Sequence, residues 1–329
     1  MGSASNQIRT RTVRTNGVEL HVMEAGDPAE PTVVLCHGFP EAAYSWRHQL
    51  PVLAAAGYHV IAPDQRGYGQ STLPTNVADY GIRELTGDLT GLLDDLGKDD
   101  AVFVGHDWGA LVVWEAARLA PTRVRAVVGV SVPAVVWPGP PTELFRMVYH
   151  DNFFYMLYFQ PVGPAEAELD ADPAETIRRV FWGASGQGFS VPDAPSPADG
   201  TGLLTNLPEP PPLPWSNDAG VWLTQDDLDV YAALFRRSGF FGPVSYYRNL
   251  DANYEVVKDL GLDRITMPSF FIGGTRDLVT VMDPGGVDRM ANTLPNHHGA
   301  VLLDGAGHWT QQEKPAAFNE ALLGFLNGL

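Results

Sequence analysis

The run VFVGHDWGAL (102–111) closes an apolar, strand-like segment, turns sharply and opens a helix-like one. A G-x-S-x-G pattern in that setting marks a nucleophile elbow with serine at its tip. Here the tip is Asp107. Gly105 and Gly109 suit the close strand–helix crossing that such a turn demands. The turn puts Asp107 at the C-terminal edge of a sheet, where open α/β folds bind ligands. An aspartate opening a helix is often only an N-cap. The two glycines and the strand–turn–helix setting favour a nucleophile instead. A carboxylate is already ionised at neutral pH, so it attacks without a base to deprotonate it.

Three further segments supply the groups that such a nucleophile needs. TVVLC runs into His37-Gly38-Phe39-Pro40. In hydrolases built around an elbow, a loop of this kind gives one oxyanion N–H, and the residue after the nucleophile gives the other. Phe39 and Trp108 fill those two places, and two backbone donors aimed at one oxygen stabilise a tetrahedral oxyanion. A cis Phe39–Pro40 bond is expected from the tightness of the turn. SFFIGGTRDLV places Asp277 just past a strand, and AVLLDGAGHWT places His308 in the loop past the next. The order nucleophile, acid, histidine is that of elbow hydrolases. A lone histidine is more often structural. Asp304, Asp283 and Glu313 compete for the acid role, and Asp277 fits best by strand position.

The elements that must position these groups are legible as alternating patterns. VELHVMEAG, TVVLCHG, HVIAPD, DAVFVGHD, RVRAVVGVSV, SFFIGG and GAVLLDG read as strands. Several are continuous apolar runs, which suits strands buried on both faces of a parallel sheet. Ile82, Leu85, Leu89, Leu92, Leu93 and Leu96 recur at helical spacing and Gly97 closes the run. Phe318, Leu322, Phe325, Leu326 and Leu329 repeat that spacing at the C-terminus. The alternation predicts a doubly wound α/β domain. It stops after about Pro138 and resumes near Ile265. The expected organisation is a core over 1–137 and 264–329, with a helical cap over 138–263. The cap carries a Gly/Pro-rich loop near 183–215, read as lining an entrance rather than docking a proline-reading domain.

HGFP, DQRGYGQS, GHDWG, GTRD and GHW, in that order, resemble the epoxide hydrolases of the α/β-hydrolase fold. The likeness is nearer to the bacterial, mycobacterial-type enzymes than to the hydrolase domain of mammalian soluble epoxide hydrolase, and it covers nearly the whole chain. It extends to FFYMLYFQPVGPAEAELD and VSYYRNLDANYE, which are similar to the two cap segments that carry catalytic tyrosines. The resemblance implies a mostly parallel eight-stranded sheet with an inserted helical cap. It implies Tyr155 and Tyr247 as proton donors to the epoxide oxygen. Tyr158 lies three residues beyond the first, and Tyr246 stands where family members often carry tryptophan. Neighbouring helix positions point about 100° apart, so only one of Tyr246 and Tyr247 faces the nucleophile. The implied reaction esterifies Asp107. His308, oriented by Asp277, then directs water at the ester, and a vicinal diol leaves without metal or cofactor. The alternative is a haloalkane dehalogenase with the same nucleophile. Phe39 stands where many of those enzymes carry asparagine. A non-catalytic ligand receptor on the same fold ranks lower, because every expected position is filled. An esterase ranks lower still for want of a serine.

Bulk properties narrow the partners. The net charge of −18 disfavours nucleic acid and anionic membranes. Cys36 is the single cysteine, so no intrachain disulfide forms, and the reading places it in the core. His297 and His298 form an isolated pair without metal-site spacing. No signal peptide is read in MGSASNQIRT, no apolar run spans a bilayer, and a cytoplasmic setting is expected. A small apolar epoxide as substrate of a monomer or homodimer is the expected partnership, with Phe153, Phe154 and Trp182 suggesting an apolar pocket.

Overall fold

The computed structural model describes residues 7–190 and 196–329. Positions 191–195 of the Gly/Pro-rich loop and the first six residues, read above for a leader, lie outside the described residues. In chain order the elements are β1 (Arg9–Thr15), β2 (Val18–Ala25), β3 (Thr32–Cys36), α1 (Leu50–Ala55), β4 (His59–Pro63), α2 (Ile82–Leu96), β5 (Ala101–His106), α3 (Trp108–Leu119) and β6 (Val124–Val130). An insertion follows: α4 (Pro141–Tyr149), α5 (Tyr155–Tyr158), α6 (Pro164–Leu169), α7 (Pro173–Ala184), β7 (Trp215–Asn217), β8 (Gly220–Leu223), α8 (Gln225–Ser238), α9 (Phe241–Arg248) and α10 (Leu250–Val257). The alternation then resumes with β9 (Ser269–Gly274), α11 (Leu278–Met282), α12 (Gly286–Thr293), β10 (His297–Leu303), α13 (Thr310–Glu313) and α14 (Pro315–Leu326).

Among the described residues eight strands form one sheet in the order β1-β2-β4-β3-β5-β6-β9-β10. β2 runs antiparallel to both its neighbours, and every other pairing is parallel. Strands β3, β4, β5 and β9 are buried at every position, as their continuous apolar runs require. Successive residues feed opposite faces of the sheet. Val34, Cys36 and Phe103 pack with Leu85, Leu89 and Val113 of α2 and α3 on one face. Val33, Leu35 and Val104 pack with Leu50 of α1 and Phe318 and Leu322 of α14 on the other. Gly97 ends α2 in the left-handed conformation, with φ 65°, and the next N–H returns to Leu93.

Two elements depart from the expected pattern. RTRTVRT forms β1 although it contains a single large apolar residue, Val13. It is an edge strand, held by β2 and by Arg9 and Arg11 on Glu24, at 2.6 and 2.7 Å. The insertion is also not wholly helical, since β7 and β8 pair as a short antiparallel hairpin. Among the described residues no helix is long and apolar enough to cross a membrane.

Candidate active site

β5 delivers the elbow. Asp107 adopts φ 52° and ψ −117°, a conformation unusual for a residue with a side chain. Backbone crowding explains the glycines around it. A Cβ on Gly105 would lie 2.1 Å from the Gly109 oxygen, and one on Gly109 would lie 2.2 Å from the Cys36 oxygen. Gly38 is equally constrained, because its Cβ would fall 2.4 Å from that of Asp107. The Phe39–Pro40 bond is cis, as the tight turn suggested.

Asp107 meets two groups through separate oxygens. Its Oδ1 accepts the Phe39 N–H at 2.8 Å. Its Oδ2 lies 3.5 Å from His308 Nε2. Trp108 begins α3, so its N–H belongs to the first turn, which has no intrahelical acceptor. His308 Nδ1 in turn lies 3.1 Å from Asp277 Oδ1. Of the rival acids, Asp304 accepts from Thr275 and Asp283 pairs with Arg289. Glu313 accepts backbone N–H groups from Gly186, Gly307 and Trp309, tying the insertion to the His308 loop. Asp277 is thus the acid that touches His308.

Burial of His308 would by itself lower its pKa, but the Asp277 and Asp107 carboxylates overcome this and hold it well above the ordinary imidazole value. Burial likewise works to raise the Asp277 carboxyl, and the His308 charge and hydrogen bond bring it below its usual value.

Two tyrosines from the insertion complete the site. Tyr155 opens α5 and Tyr247 lies in α9. Their rings meet edge-on at 5.7 Å, and the Tyr247 ring sits 5.1 Å from Trp108 and 5.4 Å from Phe39. Gln160 ties the two segments by donating to the Tyr247 carbonyl at 3.0 Å. Burial first, and the Asp107 charge second, push both phenol pKa values up. Tyr246 turns the other way. Its hydroxyl donates to the Arg66 carbonyl at 2.9 Å, inside a cluster with Tyr68 and Tyr80. Tyr158 also points elsewhere and donates to the Pro164 carbonyl at 3.2 Å. Phe153 packs on Tyr158 and Phe154 on Tyr155, whereas Trp182 packs at a tilt on Trp215 of the hairpin.

Sequence reasoning passed over a buried network behind these groups. Glu41, wholly buried, accepts from the Gly38 N–H at 2.8 Å and lies 2.6 Å from His106 Nδ1. Its other oxygen accepts from the side-chain amides of Gln311 and Gln312, at 3.0 and 3.1 Å. His106 Nε2 lies 2.7 Å from the His308 carbonyl oxygen. Glu41 therefore binds the Phe39 loop, the elbow and the His308 loop into one unit. Burial alone would raise its carboxyl, but the His106 charge and hydrogen bond outweigh this and bring it down to about 2. Glu41→Ala leaves His106 buried without its acidic partner, a loss of about 3–5 kcal/mol for a broken buried pair. Urea unfolding is expected to show that loss, and an unchanged midpoint would mean that the network does not hold the loops. Ser131 was also missed. Its Oγ lies 2.9 Å from His308 Nδ1. The sequence signal for both was weak: a glutamate just past HGFP, and a serine in an apolar strand end.

Among the described residues no group of three or more His, Cys, Asp or Glu side chains is set to hold a metal ion.

The sequence pattern of the α/β hydrolase fold matches residues 31–161. Over 321 residues the chain is 51% identical to Epoxide hydrolase A of Mycobacterium tuberculosis, covering 97% of each chain. It is 37% identical to Bifunctional epoxide hydrolase 2 of Sus scrofa, over 94% of this chain and 53% of that one. Among solved structures, Epoxide Hydrolase A from Mycobacterium thermoresistibile superposes with a TM-score of 0.90 at 51% identity, covering 98% of this chain and 99% of the other. With relatives this similar over nearly its full length, and an elbow aspartate in reach of a histidine–acid pair, the chain belongs to the epoxide hydrolases of the α/β-hydrolase fold.

Proposed function

We propose that this chain converts an epoxide and water to a vicinal diol through an ester on Asp107. One observation carries the reading. The Asp107 carboxylate is divided between the Phe39 N–H on Oδ1 and His308 Nε2 near Oδ2, beside two phenols that stay protonated. Oδ1 already occupies an oxyanion site, so Oδ2 is the attacking oxygen. It forms a bond to an epoxide carbon while that carbon's bond to the ring oxygen breaks. Displacement at saturated carbon expels an alkoxide, a poor leaving group unless protonated. Tyr155 and Tyr247 supply that proton and hydrogen bond. In the second step His308 takes a proton from water, and the water oxygen attacks Cγ of Asp107. The charge gathers on Oδ1, where the Phe39 and Trp108 N–H groups stabilise it. The bond from Cγ to Oδ2 then breaks. Oδ2 departs with the diol, which takes its proton from His308, and the second water proton, left on the Asp107 carboxyl, returns to the tyrosine that gave its own in the first step.

The aromatic lining from Phe39, Trp108, Phe159 and the two tyrosines supports a small apolar epoxide as substrate. A single turnover in heavy-oxygen water tests the reading. The label is expected in Asp107 and not in the first diol, and label in that diol alone would exclude the ester. Chloride release from matched haloalkanes, without diol from epoxides, would instead favour the dehalogenase.

A further inference from the structure

Ser131 stands immediately after β6, beside the strand that delivers Asp277. It is fully buried, and its N–H donates to the Ile272 carbonyl at 2.9 Å. Its φ is 69°, in the left-handed region that favours glycine. A serine held there by the neighbouring strand is a strained residue, and strain of this kind collects where a side chain must be aimed. The side chain is aimed at the base, since Oγ lies 2.9 Å from His308 Nδ1 and Asp277 Oδ1 lies 3.1 Å from the same nitrogen.

We propose that Ser131 is a positioning residue for the ester-hydrolysis step, a second acceptor on the His308 Nδ1–H that fixes the tautomer leaving Nε2 free to take a proton from water. The inference rests on the reading of His308 as that base. With Nε2 as base, Nδ1 must carry its proton, and this N–H is shared between the Asp277 carboxylate and the Ser131 hydroxyl oxygen. The serine's own proton is then free to turn toward Asp277, whose Oδ2 accepts no hydrogen bond from the described residues. Burial works to raise the Asp277 carboxyl, His308 does most to lower it, and Ser131 adds to that lowering. Ser131 thus supports both members of the pair. It stabilises the imidazolium that forms as water is deprotonated, because a hydrogen bond to the charged form is the stronger one. Its place on a β-strand end, rather than on a mobile loop, keeps the imidazole plane fixed while the ester is made and broken.

The half-reactions separate this role from a general structural one. Ester formation uses Asp107 and the tyrosines, whereas ester hydrolysis uses His308. In the full-length protein, Ser131→Ala is expected to leave the rate of ester formation unchanged and slow ester breakdown roughly tenfold or more, the range for losing a hydrogen bond to a charged group. Intact mass in rapid-quench samples would show the ester accumulating. The acid limb of kcat is expected to move to lower pH, because the imidazolium has lost an acceptor. Ser131→Gly removes the same hydroxyl and relieves the positive φ, so it keeps the fold and should reproduce the kinetic defect. An ester that drains as fast in both variants as in the unchanged protein overturns the inference. So does an equal loss in both half-reactions. Failure to detect any ester in the unchanged protein would instead overturn the proposed reaction.

Discussion

His308→Gln is expected to form the Asp107 ester and fail to release it. Glutamine nearly fills the histidine's space but cannot take a proton from water. Asp107 needs no base in order to attack, so the first half-reaction survives. The second loses a general base, worth about 10²–10⁴-fold. One equivalent of epoxide should be consumed in a burst, with the adduct visible by intact mass and localised to the peptide carrying Asp107. Absence of an adduct, with diol still released slowly, would remove His308 from the second step. The electrostatics add a sign. In the free protein the Asp277 and Asp107 carboxylates, working against burial, hold the His308 pKa high. Esterification neutralises Asp107 and removes part of that support, so the imidazole pKa falls once the ester exists. In the proposed reaction the His308 pKa is thus held up before the ester forms and lowered by the step that precedes its use. The acid limb of kcat, which reports the ester state, should lie at lower pH than the His308 titration of the free protein followed by NMR.

The main frame was readable because burial on both faces of a parallel sheet writes itself into sequence as unbroken apolar runs. TVVLC, HVIAP and SFFIGG each became a strand. The elbow was readable for a steric reason, since Gly105 and Gly109 stand where no Cβ fits. β1 was hidden because it is an edge strand whose outward residues are Arg and Thr, so periodic burial is confined to Val13 and Thr15. The choice between Tyr246 and Tyr247 needed the rotation of α9. Helical spacing said that one of them would face Asp107, and only the packing of Tyr246 on Arg66, Tyr68 and Tyr80 decides which. Glu41 and Ser131 were illegible for a related reason. Each gains its histidine partner across 65 residues or more of chain, from His106 and His308 respectively, and a single polar residue carries no mark of that.

Replacing both Tyr155 and Tyr247 with phenylalanine is expected to slow ester formation severely while leaving the rest of the site intact. In the proposed reaction the two phenols share one task; their rings meet edge-on 5.7 Å apart, and the Asp107 charge helps to raise the pKa of both. Each single variant retains the other donor, so each should lose less than the pair, and the double variant should lose about 10²–10⁴-fold in the first half-reaction. The effects are non-additive because either hydroxyl can stabilise the alkoxide once its partner is gone. The raised phenol pKa values work in the same direction. A donor must still hold its proton when the epoxide arrives, and burial together with the Asp107 carboxylate favours the neutral phenol. Neither tyrosine should therefore produce a basic limb in the rate of ester formation below about pH 10, where an exposed phenol would titrate. Tyr246→Phe supplies the control. It removes a hydroxyl of the same type from the adjacent residue, but one that donates to the Arg66 carbonyl and not toward the nucleophile. Its expected effect is on stability, about 1–3 kcal/mol for an unsatisfied buried carbonyl, with the rate of ester formation retained. Equal rate losses in Tyr246→Phe and Tyr247→Phe would show that the rotation of α9, rather than a particular proton, governs the first step.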